Sequence, residues 1–212
     1  MLRWNAVLLL LFFNVAGLRA GEPLFVPHGA DAMGIAFAVT ASPGHWNCFH
    51  NQALLTAAPS TGFSFGLENR FMMPALSSKA VSAVFALKPA PLGLVATHYG
   101  NADYYRIFTG LGSAVKITNA VALGVQVDYI SEHGIGEYRD VSHVTFEAGV
   151  TCLISPALTA GVHLFNPLAP LNTLPSSIDA GLSWKQSEGL FLTLTGSKVS
   201  NEPLSVQCGI SW

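Results

Sequence analysis

The sequence is short of charge. Only 10% of its 212 residues are Asp, Glu, Lys or Arg, and the formal net charge is −2. Soluble domains carry about 25% charged residues, so this composition excludes an ordinary soluble surface. A net charge near zero also provides no basic surface, and we expect no nucleic-acid partner. After residue 20 the chain lacks any run of the roughly 18 apolar residues that a transmembrane helix needs, which excludes a helical membrane protein.

Cysteine is scarce and irregularly placed. Cys48, Cys152 and Cys208 form no CxxC pair and no Cys/His spacing typical of zinc, so neither a disulfide framework, a metal site nor a cofactor is predicted. His45 and His50 flank Cys48, but we interpret them as histidines bonded to backbone rather than as metal ligands. GxSxG, HExxH and P-loop motifs are missing too, so we do not expect an enzyme.

The first twenty residues have the features of a secretory signal peptide. Arg3 supplies a positive start, 6–13 form a short apolar run, and small residues precede Gly21. We therefore assign residues 1–20 to a signal peptide. The mature chain then divides into an N-terminal segment, 21–60, and a region of regular alternation, 61–212.

From residue 61 onward, apolar and polar residues alternate as they do in half-buried strands. In the last segment one face carries Leu204, Val206, Cys208, Ile210 and Trp212, and the other carries only Ser, Gln and Gly. The same pattern predicts ten strands, at 61–71, 78–88, 91–99, 104–117, 120–130, 142–154, 158–166, 177–185, 189–197 and 204–212.

The connections between these strands alternate in length. Long or moderate connections, such as 131–142 and 167–176, alternate with short ones, as in outer-membrane barrels with short periplasmic turns and longer external loops. A closed barrel is also the only structure besides a helix that pairs every backbone group in lipid. We predict an all-β, antiparallel up-and-down transmembrane β-barrel of ten strands, or of twelve if 34–40 and 51–58 also pair.

The strand faces opposite the apolar ones should line the barrel interior. They carry a mixed-charge network, namely Glu68, Arg70, Arg106, Asp128, Glu147, Asp179 and Lys185. Because an unpaired buried ion costs several kcal/mol, we expect Arg70 and Arg106 to pair with carboxylates drawn from Glu68, Asp128, Glu147 and Asp179. A barrel of this size can be filled by side chains, so a packed interior is favoured over a narrow polar pore.

The N-terminal segment alternates poorly and suits a plug, with His45, Trp46, Asn51 and Gln52 as its candidate residues. Two motifs there, Gly29–Gly34 (GADAMG) and Trp46–Leu54 (WNCFHNQAL), resemble motifs of the PorV/PorQ-like outer-membrane family, which is related to FadL-type transporters. Weaker similarities occur at 68–71, 126–130, 146–149 and 163–167. The resemblance implies an outer-membrane barrel whose N-terminal segment tucks into the lumen or closes the periplasmic mouth. Trp212 resembles the aromatic C-terminal signal read by the barrel assembly machinery.

Three function hypotheses follow for a protein in the outer membrane of a Gram-negative bacterium, in contact with its lipid. The first is an accessory or structural barrel, similar to the family that assists type IX secretion, whose Tyr138, Arg139, Leu171 and Leu174 would contact secretion or surface proteins. The second is a FadL-like carrier of hydrophobic molecules, which needs an apolar cavity that mostly polar inward faces do not predict. The third, a lipid-modifying enzyme using Ser142 and His143, lacks a nucleophile motif.

Overall fold

A computed structural model describes residues 29–134, 140–168 and 174–212. The predicted signal peptide, 1–20, lies outside the described residues, as do the predicted contact residues Tyr138, Arg139 and Leu171. Within the described ranges, no helix is both long enough and apolar enough to cross a membrane.

Ten antiparallel strands form one sheet in which each strand pairs with its neighbours in the sequence. This order is the up-and-down topology that the alternation predicts, and the predicted fold class is confirmed. The strands are β1 (Gly62–Asn69), β2 (Ser77–Phe85), β3 (Leu92–Gly100), β4 (Tyr104–Lys116), β5 (Val121–Gly134), β6 (Val141–Ser155), β7 (Leu158–Phe165), β8 (Ser177–Ser187), β9 (Leu190–Val199) and β10 (Ser205–Ser211).

Two expectations about the strands are corrected. The ladder between β5 and β6 extends to the pair Glu132 and Val141, so much of the predicted 131–142 loop is strand. The twelve-strand alternative is wrong, because the N-terminal segment contributes helices instead. These are α1 (Ala30–Gly34), α2 (Asn47–His50) and a 3₁₀ helix, Gln52–Ala57, while two further 3₁₀ turns, Arg70–Met72 and Pro74–Leu76, connect β1 to β2.

The two faces of the sheet differ as the alternation requires. On β5, Val125 and Val127 are 61% and 60% exposed, whereas Gln126 and Asp128 between and beside them are 1% and 0% exposed. The apolar side chains therefore form the outer face, and the polar ones point inward. We call the end of the sheet where β1, β3, β5, β7 and β9 finish the loop end, and the opposite end the turn end.

Residues 29–58, which we call the plug, lie against the inner face of the sheet. Inward glycines mark the contact, since an added Cβ at these positions would meet plug atoms. Ile35 lies over Gly209 on β10, and Trp46 lies over Gly66 on β1. The sheet thus wraps around the plug from its first strand to its last. No ladder joins β1 to β10 in the described parts of the chain.

Gly124→Leu should destabilise the protein more than Gly62→Leu. A Cβ at Gly124 would overlap the backbone of Gln52 and Ala53, whereas one at Gly62, on the same inner face, would meet nothing within 4 Å. Overpacking of this kind costs about 1–3 kcal/mol. Urea unfolding of both variants in detergent micelles measures the difference. Equal midpoints would contradict the close packing of plug against wall.

Candidate functional site in the occupied interior

The side chain of Asn51 connects two parts of the plug, at Thr40 and at Ala53, to the inner face of the sheet. Its side-chain nitrogen donates to the Thr40 carbonyl oxygen at 2.8 Å, and its side-chain oxygen accepts from the Ala53 backbone nitrogen at 3.1 Å. The same nitrogen lies 3.3 Å from the Val150 carbonyl oxygen on β6. Gly149 leaves the space for this amide, because a Cβ there would overlap the Asn51 side-chain oxygen. A fully buried asparagine is thus satisfied by groups far apart in sequence.

The neighbouring residue, Gln52, connects the plug to a buried group of charges. Its side-chain nitrogen donates to Oε2 of Glu147 on β6. The same Glu147 oxygen lies 2.9 Å from Nε2 of His163, and the other ring nitrogen of His163 lies 3.3 Å from Oδ2 of Asp179. A histidine can donate from both ring nitrogens only as an imidazolium. This geometry therefore suits one positive charge held between two carboxylates.

A second pair of inward side chains extends this cluster along β5. Gln126 Nε2 donates to Asp128 Oδ1 at 2.9 Å, and Gln126 lies directly across the ladder from Glu147. Three buried oxygens, Gln52 Oε1, Gln126 Oε1 and Asp128 Oδ2, have no hydrogen-bond partner among the described residues. We call Gln52, Gln126, Asp128, Glu147, His163 and Asp179 the polar cluster. Three of its members are carboxyl groups and one is a histidine, so acidic groups predominate.

Cys48 on α2 lies close enough to the polar cluster for the charges of the cluster to act on its thiol. Burial, together with the nearby Glu147 and Asp128 carboxylates, raises the pKa of the Cys48 thiol to about 12. A thiol with that pKa is protonated at neutral pH and is a poor nucleophile. Chemistry by an activated cysteine is therefore disfavoured here. The described residues contain no group of His, Cys, Asp and Glu that could hold a metal ion.

An apolar cluster also occupies the interior, which corrects the expectation of mostly polar inward faces. Leu55 of the plug packs with wall residues from β2, β3, β4, β5 and β7, namely Val84, Val95, Phe108, Ala114, Ile130 and Phe165. Leu174, from the β7–β8 connection, belongs to the same cluster and is 6% exposed. This buried position differs from the partner-contact role predicted for Leu174. Phe49 extends the cluster, with its ring 5.8 Å from those of Phe108 and Trp46.

The arginines lie near the loop end, away from the polar cluster. Arg70 Nε donates to Glu68 Oε1 at 2.8 Å, one of the partners expected for it. Arg106 instead pairs with Glu132 at 2.7 Å, which differs from the expected set. The reason is strand length, because β5 continues past residue 130 and places Glu132 directly opposite Arg106 in the ladder. Asp128, Glu147 and Asp179 therefore have His163, not an arginine, as their cationic neighbour.

Lys185 does not join the predicted network. It lies at the turn end, where Nζ donates to Glu188 Oε1 at 2.9 Å across the β8–β9 turn. That hydrogen bond lowers the pKa of the exposed Glu188 carboxyl. Lys185 thus belongs to a surface pair, because its strand ends where the network was expected to continue.

The remaining predicted residues are separated from one another. Trp46 is buried behind β1, whereas His45 beside it is exposed and does not pack in the interior. Trp212 follows the end of β10 and is 94% exposed. Another histidine, His133, lies on β5, where its ring stacks on Tyr105 with a centroid distance of 4.9 Å.

Sequence reasoning missed the inward glycines. Gly93, Gly124, Gly149, Gly161 and Gly209 are all places where an added Cβ would overlap the plug. Glycine weakens a strand and often marks a close backbone approach. Their recurrence on the polar face of alternating strands was a readable signal for a segment packed inside.

Comparison with known proteins identifies a similar fold. No protein-family model and no curated protein sequence matches the chain. Among solved structures, the KdgM porin in complex with disordered oligogalacturonate matches with a TM-score of 0.52, over 73% of this chain and 85% of that chain, at 11% identity. The chain is therefore similar to a porin β-barrel in architecture. The PorV/PorQ-like family finds no specific support in these comparisons.

His163→Ala should destabilise the protein far more than Arg106→Ala. The first change removes the ring that bonds both the buried Glu147 and the partly exposed Asp179, and breaking a buried pair costs about 3–5 kcal/mol. The Arg106 and Glu132 side chains are 20% and 31% exposed, and pairs open to water contribute about 1 kcal/mol or less. Thermal melts in micelles measure both. Equal losses would indicate that the polar cluster is hydrated.

Proposed function

We propose that the chain is an outer-membrane β-barrel protein of a Gram-negative bacterium whose interior is closed by its own plug. In this proposal it acts as a non-enzymatic accessory or structural component rather than as an open channel. The observation that carries the proposal is the plug itself, which contacts inward positions on strands from β1 to β10. The porin-like architecture and the lipid-compatible outer face support the membrane location.

The contacts between plug and wall support a closed interior. The plug backbone lies directly on strand glycines, and its side chains Asn51 and Gln52 are fully buried. An ion or solute path along this part of the inner face would require the plug to leave. Its departure would break the Gln52–Glu147 bond and expose Leu55 to water. Both consequences oppose a permanently open state.

The interior charges also differ from what an acidic solute would require. The structurally similar porin holds oligogalacturonate, an acidic oligosaccharide. Here Arg70 and Arg106 are each paired with a glutamate, and the polar cluster contains three carboxyl groups. Passage of an acidic sugar is therefore not proposed for this chain.

The finer proposal is a role similar to that of the PorV/PorQ-like secretion-associated family. Its motivation remains the sequence resemblance at 29–34 and 46–54. The second of these motifs places Trp46 against β1, Gln52 against β5 and Asn51 against β6. Its partners would be secretion or surface proteins, and the barrel assembly machinery during biogenesis.

A second candidate, a carrier of hydrophobic molecules, gains support from one observation. The apolar cluster of Val95, Phe108, Ile130, Phe165 and Leu174 is of the kind that a hydrophobic ligand could occupy if the plug moved. In the present arrangement Leu55 of the plug fills that space. The carrier therefore ranks second.

The purified protein should show no steady current in planar lipid bilayers. Gly124→Leu, which would displace the plug from β5, should introduce conductance steps, whereas Gly62→Leu should remain silent because no plug atom lies near it. Resistance of the folded band to SDS without heating verifies that each variant is still a barrel. Steady conductance by the unaltered protein, comparable with that of a reconstituted porin, would overturn the proposal.

Purification from native membranes separates the accessory role from the carrier role. We expect a stoichiometric protein partner and no tightly retained fatty ligand, as measured by mass spectrometry of the detergent-solubilised protein. A retained fatty ligand with no partner would favour the carrier instead.

A further inference from the structure

The two edge strands of the sheet are left unprotected. β1 and β10 each have one backbone edge that pairs with no strand in the described parts of the chain, and such an edge presents a row of unpaired N–H and C=O groups. Neither strand contains Pro or Lys, and their outer faces carry Phe63, Phe65, Val206 and Ile210, between 58% and 79% exposed. In lipid each unsatisfied backbone group costs several kcal/mol. The proposed membrane location, on which this inference rests, therefore requires these edges to be paired.

Residue parity restricts how β1 and β10 can pair with each other. Opposite residues in an antiparallel ladder point to the same face. The inward residues of β1 have even numbers, including Gly62 and Gly66, and those of β10 have odd numbers, including Gln207 and Gly209. An even residue of β1 must therefore lie opposite an odd residue of β10. All registers shifted by a single residue are excluded, because they would turn Phe65 or Ile210 inward.

The contacts of the plug with the two edge strands favour one register among those that remain. Gly66 is the position on β1 where Trp46 lies against the wall, and Gly209 is the position on β10 where Ile35 does so. A Cβ added at Gly66 would lie 3.2 Å from the Trp46 ring, and one added at Gly209 would lie 2.4 Å from Cβ of Ile35, so each edge strand contacts the plug at its glycine. If these two glycines lie opposite each other, the inner face of the seam carries no side chain at the positions that contact the plug.

We propose that β1 and β10 close the barrel as an antiparallel pair with Gly66 opposite Gly209. This register places Phe65 opposite Ile210 and Leu67 opposite Cys208 on the lipid face. It also places Phe63 opposite Trp212, which gives the terminal residue a packing partner. Phe63 already contacts Phe85 edge to face, with ring centroids 6.0 Å apart, so Trp212 completes a row of three aromatic rings at the turn end.

Closure in this register has a functional consequence. A closed seam leaves no lateral path between the interior and the bilayer, and the plug obstructs the axial path. A hydrophobic molecule could then reach the apolar cluster only after the plug moved. The pairing therefore supports the proposed function, an accessory barrel with a sealed interior.

The native Cys208 allows a direct test with one substitution. Opposite Cα atoms in an antiparallel pair are about 4.5–5.5 Å apart, within the range of about 4.4–6.8 Å that a disulfide spans. Diagonal neighbours are about 7–8 Å apart. With diamide as the oxidant, Leu67→Cys should therefore form an intramolecular disulfide with Cys208 in bilayer nanodiscs. Phe65→Cys and Asn69→Cys are matched controls two residues away on the same face.

Preferential cross-linking at residue 67, lost when Cys208→Ser is added, is the expected result. Faster cross-linking at residue 65 or 69 would overturn the register, and no intramolecular product at any of the three would overturn closure. A disulfide-linked dimer would show instead that the edges pair with a second copy. The conductance experiment remains independent of this one, so failure of the seam and failure of the sealed interior are distinguishable.

Discussion

Close approach between the plug backbone and the inner wall is the constraint on which the rest of the interior depends. At Gly124 the Gln52–Ala53 peptide occupies the place of a side chain, and at Gly161 the Thr40 carbonyl does so. Because the plug lies on the backbone of the strands, Asn51 can reach β6 and Gln52 can reach Glu147. A larger residue at either glycine would push those amides out of hydrogen-bonding distance.

The polar cluster can be buried in a closed interior because its members form hydrogen bonds with one another. Glu147 is bonded from two directions, by Gln52 of the plug and by His163 of β7. Removing the plug would therefore leave a buried carboxylate with one partner fewer, and unmet buried hydrogen bonds cost about 1–3 kcal/mol. Charge and packing thus favour the same occupied state, and Leu55 adds an apolar contribution of the same sign.

The strands were predictable because their signal is local, while the pairings inside were not. Alternation in 204–212 depends on adjacent residues alone, and β10 lies within one residue of the predicted limits. The Arg106–Glu132 pair depends instead on the register of β4 with β5 and on where β5 ends. The Gln52–Glu147 bond joins residues 95 positions apart. No periodicity in the sequence predicts a pairing between residues so far apart in the chain. The helices of the predicted plug were missed as well, since its 3₁₀ helix has too few turns to show a helical period.

The kind of contact made by the plug distinguishes a sealed barrel from a gated one. A gate that opens readily would rest on the wall through side chains that can change rotamer. Here the interface includes strand glycines, which offer no such freedom, and buried amides whose bonds would have to be exchanged for water one by one. The apolar contacts of Leu55 would be lost at the same time. Opening would therefore resemble local unfolding of 29–58 more than the swing of a lid, in agreement with the structural role proposed above.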